Sequence, residues 1–437
     1  MNEDRASRYH RLARRAEAAA LLGTAGLLAV LLLSPLSARL AAASAGVAAW
    51  SGAPARLAPF VVVAWYVLVL ALSREILILP LACYRDHVLE RRYGLSTQSA
   101  GRWLRAHVKV ALVVLVAAEA GAAALYAVVR AWPAWWWAVA GAGLAVARLG
   151  LILAGPVLLL PIFYRFTPVE REGLKQRLVA LAGRAGTPVL GVYGWRLSDS
   201  TRRANAALAG MGRTRRILLS DTLLSDYSDE EIEVILAHEL AHHAHADLWR
   251  GLALDAAVGL AVAWLAHRAL LVWATVSPGG PADVTGLPLI LLVAGAGSLA
   301  AVPLGSAQSR AHERRADRRA LALTGNPAAF ISALRRIGRQ NLAEDRAPLW
   351  ARAFFGSHPP LAERLEIAGD ARAPASSQPV RADRPDRPRS PAAAAAPRAP
   401  IGPQPPRRRA GSVPGNGVGT HVARRGARLE EESCEGS

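Results

Sequence analysis

A chain of 437 residues, 52% of them hydrophobic and with a positive mean hydropathy, is too apolar for a soluble enzyme and calls for several membrane spans. Its formal charge is +19, and Lys occurs only at 109 and 175, so 50 of the 52 basic residues are Arg. These arginines flank apolar runs without stacking or groove-reading motifs, which points to membrane topology and anionic lipid and away from nucleic acid as a partner. The two cysteines, Cys83 and Cys434, give neither C-x-x-C nor a disulfide framework, so a metal site here must be built from His and carboxylate.

In chain order, residues 1–16 are polar and rich in Arg. The run from Ala18 to Leu33 is long for a signal peptide and reads as an uncleaved first span. The Ala-rich stretch 37–58 reads as a loop or surface segment. A second span covers about 59–81, interrupted by Arg74 and Glu75, which are expected to face protein rather than lipid. A basic loop over 84–109 precedes a third span at about 110–129. The next apolar run, 134–164, is too long for one upright helix and opens on a tryptophan cluster of the kind found at membrane interfaces.

Residues 165–250 form a polar insert. A helix is predicted over about 168–185, closed by Gly186, followed by a strand over 189–197. Asn205–Ala209 and Arg216–Ser220, on either side of Gly210-Met211-Gly212, read as a hairpin. Ser228-Asp229-Glu230-Glu231 is a capping box that opens a helix, with Ser228 as N-cap and Glu231 at the third position.

That helix carries His238-Glu239-Leu240-Ala241-His242, an H-E-x-x-H pattern. Histidines four apart share a helix face and can reach one zinc ion at about 2.0–2.1 Å. Glu239, beside the first of them, is placed to take a proton from a zinc-activated water. A random chain of this composition would show on the order of 0.01 such matches. His243 and His245 read as polar helix surface, since His243 points about 100° away from His242. Spans at about 251–277 and 287–305 follow, then polar helices at about 306–323 and 327–343. Glu313 and Asp317, four apart just after the last span, are the best carboxylates for a third ligand and for a group that orients a ligand histidine; two solvated carboxylates paired with arginines are the alternative. His312 reads as a surface neighbour. Residues 371–437 hold 11 of the 28 prolines and few large apolar residues, a composition expected to stay disordered.

The organisation is therefore a basic segment 1–16, a membrane region 17–164, a metalloprotease insert 165–250, a membrane hairpin 251–305, a helical region 306–370 and a Pro/Arg-rich tail 371–437. Arg-rich connections alternate with Arg-poor ones, which places both termini and the zinc helix on the cytoplasmic side.

The residues resemble the Ste24-type (CAAX prenyl protease 1) integral-membrane zinc metalloproteases of peptidase family M48. The resemblance runs from about Pro80 to Ala368. It includes Pro80–Ser96, Pro161–Pro168, Ser198–Ala206 with Asn205-Ala206, Arg216–Leu224, the zinc motif, Glu313-x-x-x-Asp317 and Ser357-His358-Pro359-Pro360. It implies one zinc held by His238, His242 and Glu313, Glu239 as general base, and Asn205 and His358 aiding substrate placement and oxyanion stabilisation. Eukaryotic members have seven spans where six runs are clear here. The fold expected is thus an all-α polytopic membrane protein of six to seven transmembrane helices with a small α+β cytoplasmic zincin-like insert. The substrate expected is a peptide or membrane protein, with membrane lipids as surroundings. The richness in Ala and Arg suggests a bacterial inner membrane, where prenylated substrates are not expected. The rival readings are a non-catalytic zinc scaffold or chaperone, a transporter, and a site-2-type intramembrane protease. The last of these needs an Asp-Gly ligand motif inside a span, and none is evident. Oligomeric state does not follow from the sequence.

Overall fold

The computed structural model describes residues 2–158, 166–210, 212–277, 279–344 and 348–370. The proline-rich tail therefore lies outside the described residues, as does the end of the long 134–164 run.

Helix α1 (Asn2–Leu33) carries the polar N-terminal residues and the first apolar run as one piece. The stretch expected as a loop is instead mostly a helix, α2 (Leu36–Trp50). Its sequence is dominated by Ala, the strongest helix former, and Pro35 precedes it where a missing N–H costs nothing. At about 22 Å it is too short to cross a bilayer. It is tied inward by Ser37, whose hydroxyl lies 2.7 Å from that of Tyr66. Helix α3 (Ala58–Cys83) continues through a π-helical turn, Tyr84–Leu89, so the basic loop is helical for its first residues. Glu75 of α3 meets His107 of α4 (Ala100–Ala131) at 2.6 Å, while Arg74 stays exposed; only one of the two charges faces protein. Helix α5 (Trp136–Leu158) completes the first membrane region.

The insert is a four-stranded sheet with helices packed on it. Strand β1 (Phe166–Pro168) is followed by α6 (Glu172–Arg184), β2 (Gly191–Trp195), β3 (Ala206–Ala209) and β4 (Arg216–Ser220). The sheet order is β1-β2-β4-β3, with β2 and β4 parallel and the outer pairs antiparallel. The predicted hairpin is β3–β4, with Ala206 opposite Leu219. Gly210 has φ +89°, and a Cβ there would stand 2.6 Å from the Thr214 carbonyl, so no larger residue fits. A short helix, α7 (Asp221–Asp226), leads into α8 (Asp229–Ala244), which bears H-E-x-x-H and begins with both halves of the Ser228/Glu231 capping box. Ile217, Leu219, Ile232, Leu236 and Leu240 are buried together with Leu174 and Leu178 of α6; this core fixes α8 on the sheet.

Two long helices follow. Helix α9 (Asp247–Trp273) returns to the membrane, and α10 (Leu287–Thr324) leaves it. The sequence suggested a span and then a separate polar helix, but α10 is continuous for 38 residues, about 57 Å. Nothing between Gly305 and Thr324 breaks a helix, so the apolar and polar halves propagate as one rod. Helices α11 (Pro327–Gln340), α12 (Leu349–Phe355) and α13 (Leu361–Asp370) follow; α12 and α13 pack against the polar end of α10, and α11 packs on α8 and α13. Among the described residues six helices are long and apolar enough to cross a membrane: α1, α3, α4, α5, α9 and α10. The chain is a mostly helical, integral membrane protein with a small mixed sheet.

Candidate metal centre

Helix α8 presents His238 and His242 on one face because four residues make one turn. The polar half of α10 crosses it and delivers Glu313. The Nε2 atoms of the histidines lie 3.3 Å apart. Glu313 Oε2 is 3.3 Å from His238 Nε2, and Oε1 is 3.4 Å from His242 Nε2. Donors placed tetrahedrally at about 2.0–2.1 Å from a common centre stand about 3.3–3.4 Å apart, and the imidazole pair and each imidazole–carboxylate contact, one to each oxygen of Glu313, have that separation. Among the described residues these three form the cluster able to hold a metal; His243, His245 and His312 stand outside it.

The outward-facing ring nitrogens are braced. His238 Nδ1 lies 2.9 Å from Asp317 Oδ1, and Asp317, fully buried, receives two guanidinium bonds of 2.7 and 2.8 Å from Arg364. His242 Nδ1 lies 3.1 Å from Asp247 Oδ2, and the other oxygen of Asp247 accepts a 2.8 Å bond from Arg315. Asp247 and Arg364 were not singled out from sequence. The first lies five residues past His242, and a carboxylate soon after H-E-x-x-H is the signal that could have found it. Nothing distinguishes Arg364 among 50 arginines.

Burial disfavours a charged His238, but the Asp317 and Glu313 carboxylates outweigh it and raise its pKa to about 9. Burial likewise pushes the carboxyl of Glu239 upward, opposed by the nearby His238 and His242. His358 sits on the loop between α12 and α13, largely exposed, with Nδ1 2.9 Å from Glu313 Oε2. Asn205 directly precedes β3 and is exposed. His238, Glu239, Asn205 and His358 all line one cavity of about 630 Å³. Its far walls come from α1 (His10, Arg14) and α11 (Phe330, Leu334), so the N-terminal helix is part of the site's enclosure.

A helix-borne His-His-Glu cluster with the half-buried Glu239 beside it, in a polytopic membrane protein, defines a membrane metalloprotease. The family model for peptidase family M48 matches residues 168–371, and that for the CAAX prenyl protease N-terminal region, described as five membrane helices, matches residues 4–165. Among the described residues of that range, four helices are long and apolar enough to cross a membrane, and the shorter α2 is the fifth by length. The uncharacterized metalloprotease YhfN of Bacillus subtilis is 28% identical over 308 residues, covering 69% of this chain and 72% of that one. CAAX prenyl protease 1 of Saccharomyces cerevisiae is 30% identical over 170 residues, 38% of this chain and 36% of the yeast protein, so the match spans about a third of it. The crystal structure of S. mikatae Ste24p shares the fold, with a TM-score of 0.64 and 23% identity over 70% of this chain and 75% of that one. The chain belongs to the Ste24-type membrane proteases of peptidase family M48.

Proposed function

We propose that this protein is a zinc-dependent endopeptidase that hydrolyses peptide bonds of membrane-associated proteins or peptides, with its site facing the cytoplasm. The observation that carries the reading is the tetrahedral spacing of His238, His242 and Glu313 with Glu239 beside them at the floor of the cavity. His238, His242 and Glu313 hold the zinc, which supplies Lewis acidity and a water of lowered pKa. Asp317 and Asp247 accept from the Nδ1 side of each imidazole, so Nε2 of each is the lone-pair donor. Glu239 accepts the water proton and returns it to the leaving amine; its burial favours the protonated form and so suits it to both halves of that exchange.

Strand β3 is at the edge of the sheet, so its outer backbone groups are available to an extended peptide. Asn205, at the start of that edge, holds the peptide, and His358, across the cavity, donates to the developing oxyanion. The Arg-rich connections on the side of the insert support the cytoplasmic orientation. Glu239→Gln tests the reading, because it keeps shape while removing the base. Zinc content should stay at one per chain and cleavage of a peptide library in detergent should fall by ~10²–10⁴-fold. Equal cleavage at equal zinc content would sink the mechanism in which Glu239 is the general base.

A further inference from the structure

Helix α12 has a surface that the proteolytic chemistry does not use. Its sequence is Leu-Trp-Ala-Arg-Ala-Phe-Phe. Leu349, Trp350 and Phe354 fall within about 140° of arc on one face. Leu349 is 81% and Trp350 57% exposed, and Phe354 is exposed as well. The other face is engaged: Ala351 is buried, and Ala351, Arg352 and Phe355 line the active-site cavity. One side of this helix is therefore a wall of the site, and the other is an apolar patch that, among the described residues, only the Arg14 guanidinium overlies.

Two contacts fix the depth of that patch. The guanidinium of Arg14 lies over the Trp350 ring, 5.7 Å from its centroid. Arg14 stands four residues before Ala18, where the apolar run of α1 begins, or about 6 Å along the axis. From the other side, Arg310 donates 2.8 Å bonds to the carbonyls of Arg352 and Gly356 at the end of α12. Arg310 stands five residues beyond Gly305, where the apolar half of α10 ends, or about 7.5 Å. The head-group layer on each side of a bilayer core is roughly 5–8 Å thick. Both spanning helices thus bring α12 to the level of the lipid head groups.

We propose that Leu349–Phe355 is a membrane-interface helix, with Leu349, Trp350 and Phe354 seated in the lipid at head-group depth while Phe355 and Arg352 face the active site. Trp and Phe are among the side chains that partition to this layer, their ring bodies among the acyl chains. The two helices that hold α12 in place are α1 and α10, both candidate membrane spans. This placement makes the bilayer one boundary of the catalytic cavity and puts a membrane-bound segment of substrate within one helix width of it.

Depth-dependent quenching tests this on the full chain. In a Cys83→Ser, Cys434→Ser background, single cysteines replace Trp350 or Phe354 and carry a fluorescent label. The protein is placed in phosphatidylcholine–phosphatidylglycerol vesicles, with Leu112→Cys in α4 as the lipid-exposed reference and Gln176→Cys in α6 as the aqueous one. Brominated lipids should quench labels at 350 and 354 several-fold more than at 176, with shallow-position bromines more effective than deep ones. Two positions keep the result independent of either variant's expression. Labels at both positions that respond only to aqueous iodide would show a water-facing patch and overturn the proposal. Labels reached by neither quencher would show a second protein surface covering the patch and overturn it equally.

Discussion

Asp247 sits behind His242: its Oδ2 lies 3.1 Å from the Nδ1 of that histidine, at the point where the zinc helix ends and the next membrane helix begins. The carboxylate is brought there by Ala246, a non-glycine residue at φ +54°, which turns the chain back between α8 and α9. The same residue that opens a membrane helix therefore orients His242 of the candidate metal cluster. Asp247→Asn keeps the size but removes the charge and can present an N–H to His242. Zinc affinity should weaken ~10–100-fold with the helices intact, read by competition with a fluorescent chelator. Unchanged affinity would mean that Asp247 serves only α9.

Arg364 and Asp317 form the corresponding brace for His238, and here burial raises the stakes. Asp317 is fully buried and its charge is matched by the two-pronged guanidinium. Arg364→Ala would leave that carboxylate with His238 as its remaining partner, at a cost of up to about 3–5 kcal/mol. Arg364→Lys restores the charge but not the bidentate geometry. The lysine variant should recover most of the thermal stability and only part of the zinc affinity. Full recovery of both would show that charge alone suffices.

Much of this was legible in the sequence because it rests on local rules. The apolar runs marked the spans, the Ser228/Glu231 pair marked the start of the zinc helix, and the turn around Gly210 marked the hairpin. What was not legible depends on non-local placement. The stretch 37–58 read as a loop because its short apolar run fits no span, yet Ser37 meets Tyr66 and the Ala-rich segment coils onto α3. The break expected near residue 306 came from a change of polarity, and polarity does not end a helix. That continuity carries Glu313 and Asp317 from the membrane to α8. His358 could be singled out only by family resemblance, since a histidine before two prolines has no distinguishing spacing.

Asp221 gives the insert an acid-sensitive joint. It opens α7, and its Oδ1 accepts backbone N–H bonds of 2.9 Å from Leu197, 3.0 Å from Ser198 and 3.0 Å from Thr222, pinning the loop that leads to Asn205. Burial acts to raise its pKa, but the Ser198 hydroxyl and these three N–H groups outweigh it and hold the carboxyl below its usual range. A depressed folded-state pKa adds stability above the unfolded value, about 3.9, and that stability is lost as pH falls through the folded value. Asp221→Asn should lower the melting temperature near neutral pH, and the gap to wild type should close below about pH 4. A gap that persists unchanged in acid would show that the ionised carboxylate is not the source.

The last prediction concerns how the N-terminal helix reaches the site. Arg203, two residues before Asn205, donates from Nη2 to the Tyr9 hydroxyl at 3.0 Å and to Glu90 Oε1 at 2.8 Å, and Tyr9 itself hydrogen-bonds to Glu90. Three segments distant in sequence therefore meet at one cluster: the polar start of α1, the end of the π-helical turn, and the approach to strand β3. Thr222 fixes the backbone at the same place by donating to the Arg203 carbonyl at 2.8 Å. If Asn205 holds the substrate, loosening Arg203 should misplace it without touching the metal. Arg203→Ala should lower kcat roughly tenfold, about 1.4 kcal/mol of transition-state stabilisation, at unchanged zinc content. Tyr9→Phe removes both hydrogen bonds of the hydroxyl and leaves the Arg203–Glu90 pair, so kcat should fall less than in Arg203→Ala, with a loss of about 1–2 kcal/mol in stability. Arg203→Lys should restore part of kcat through the charge. The measurement is kcat and KM for one peptide in all three variants, beside zinc content and melting temperature. If activity falls only in proportion to folded protein, the cluster is structural and Asn205 is not positioned through it.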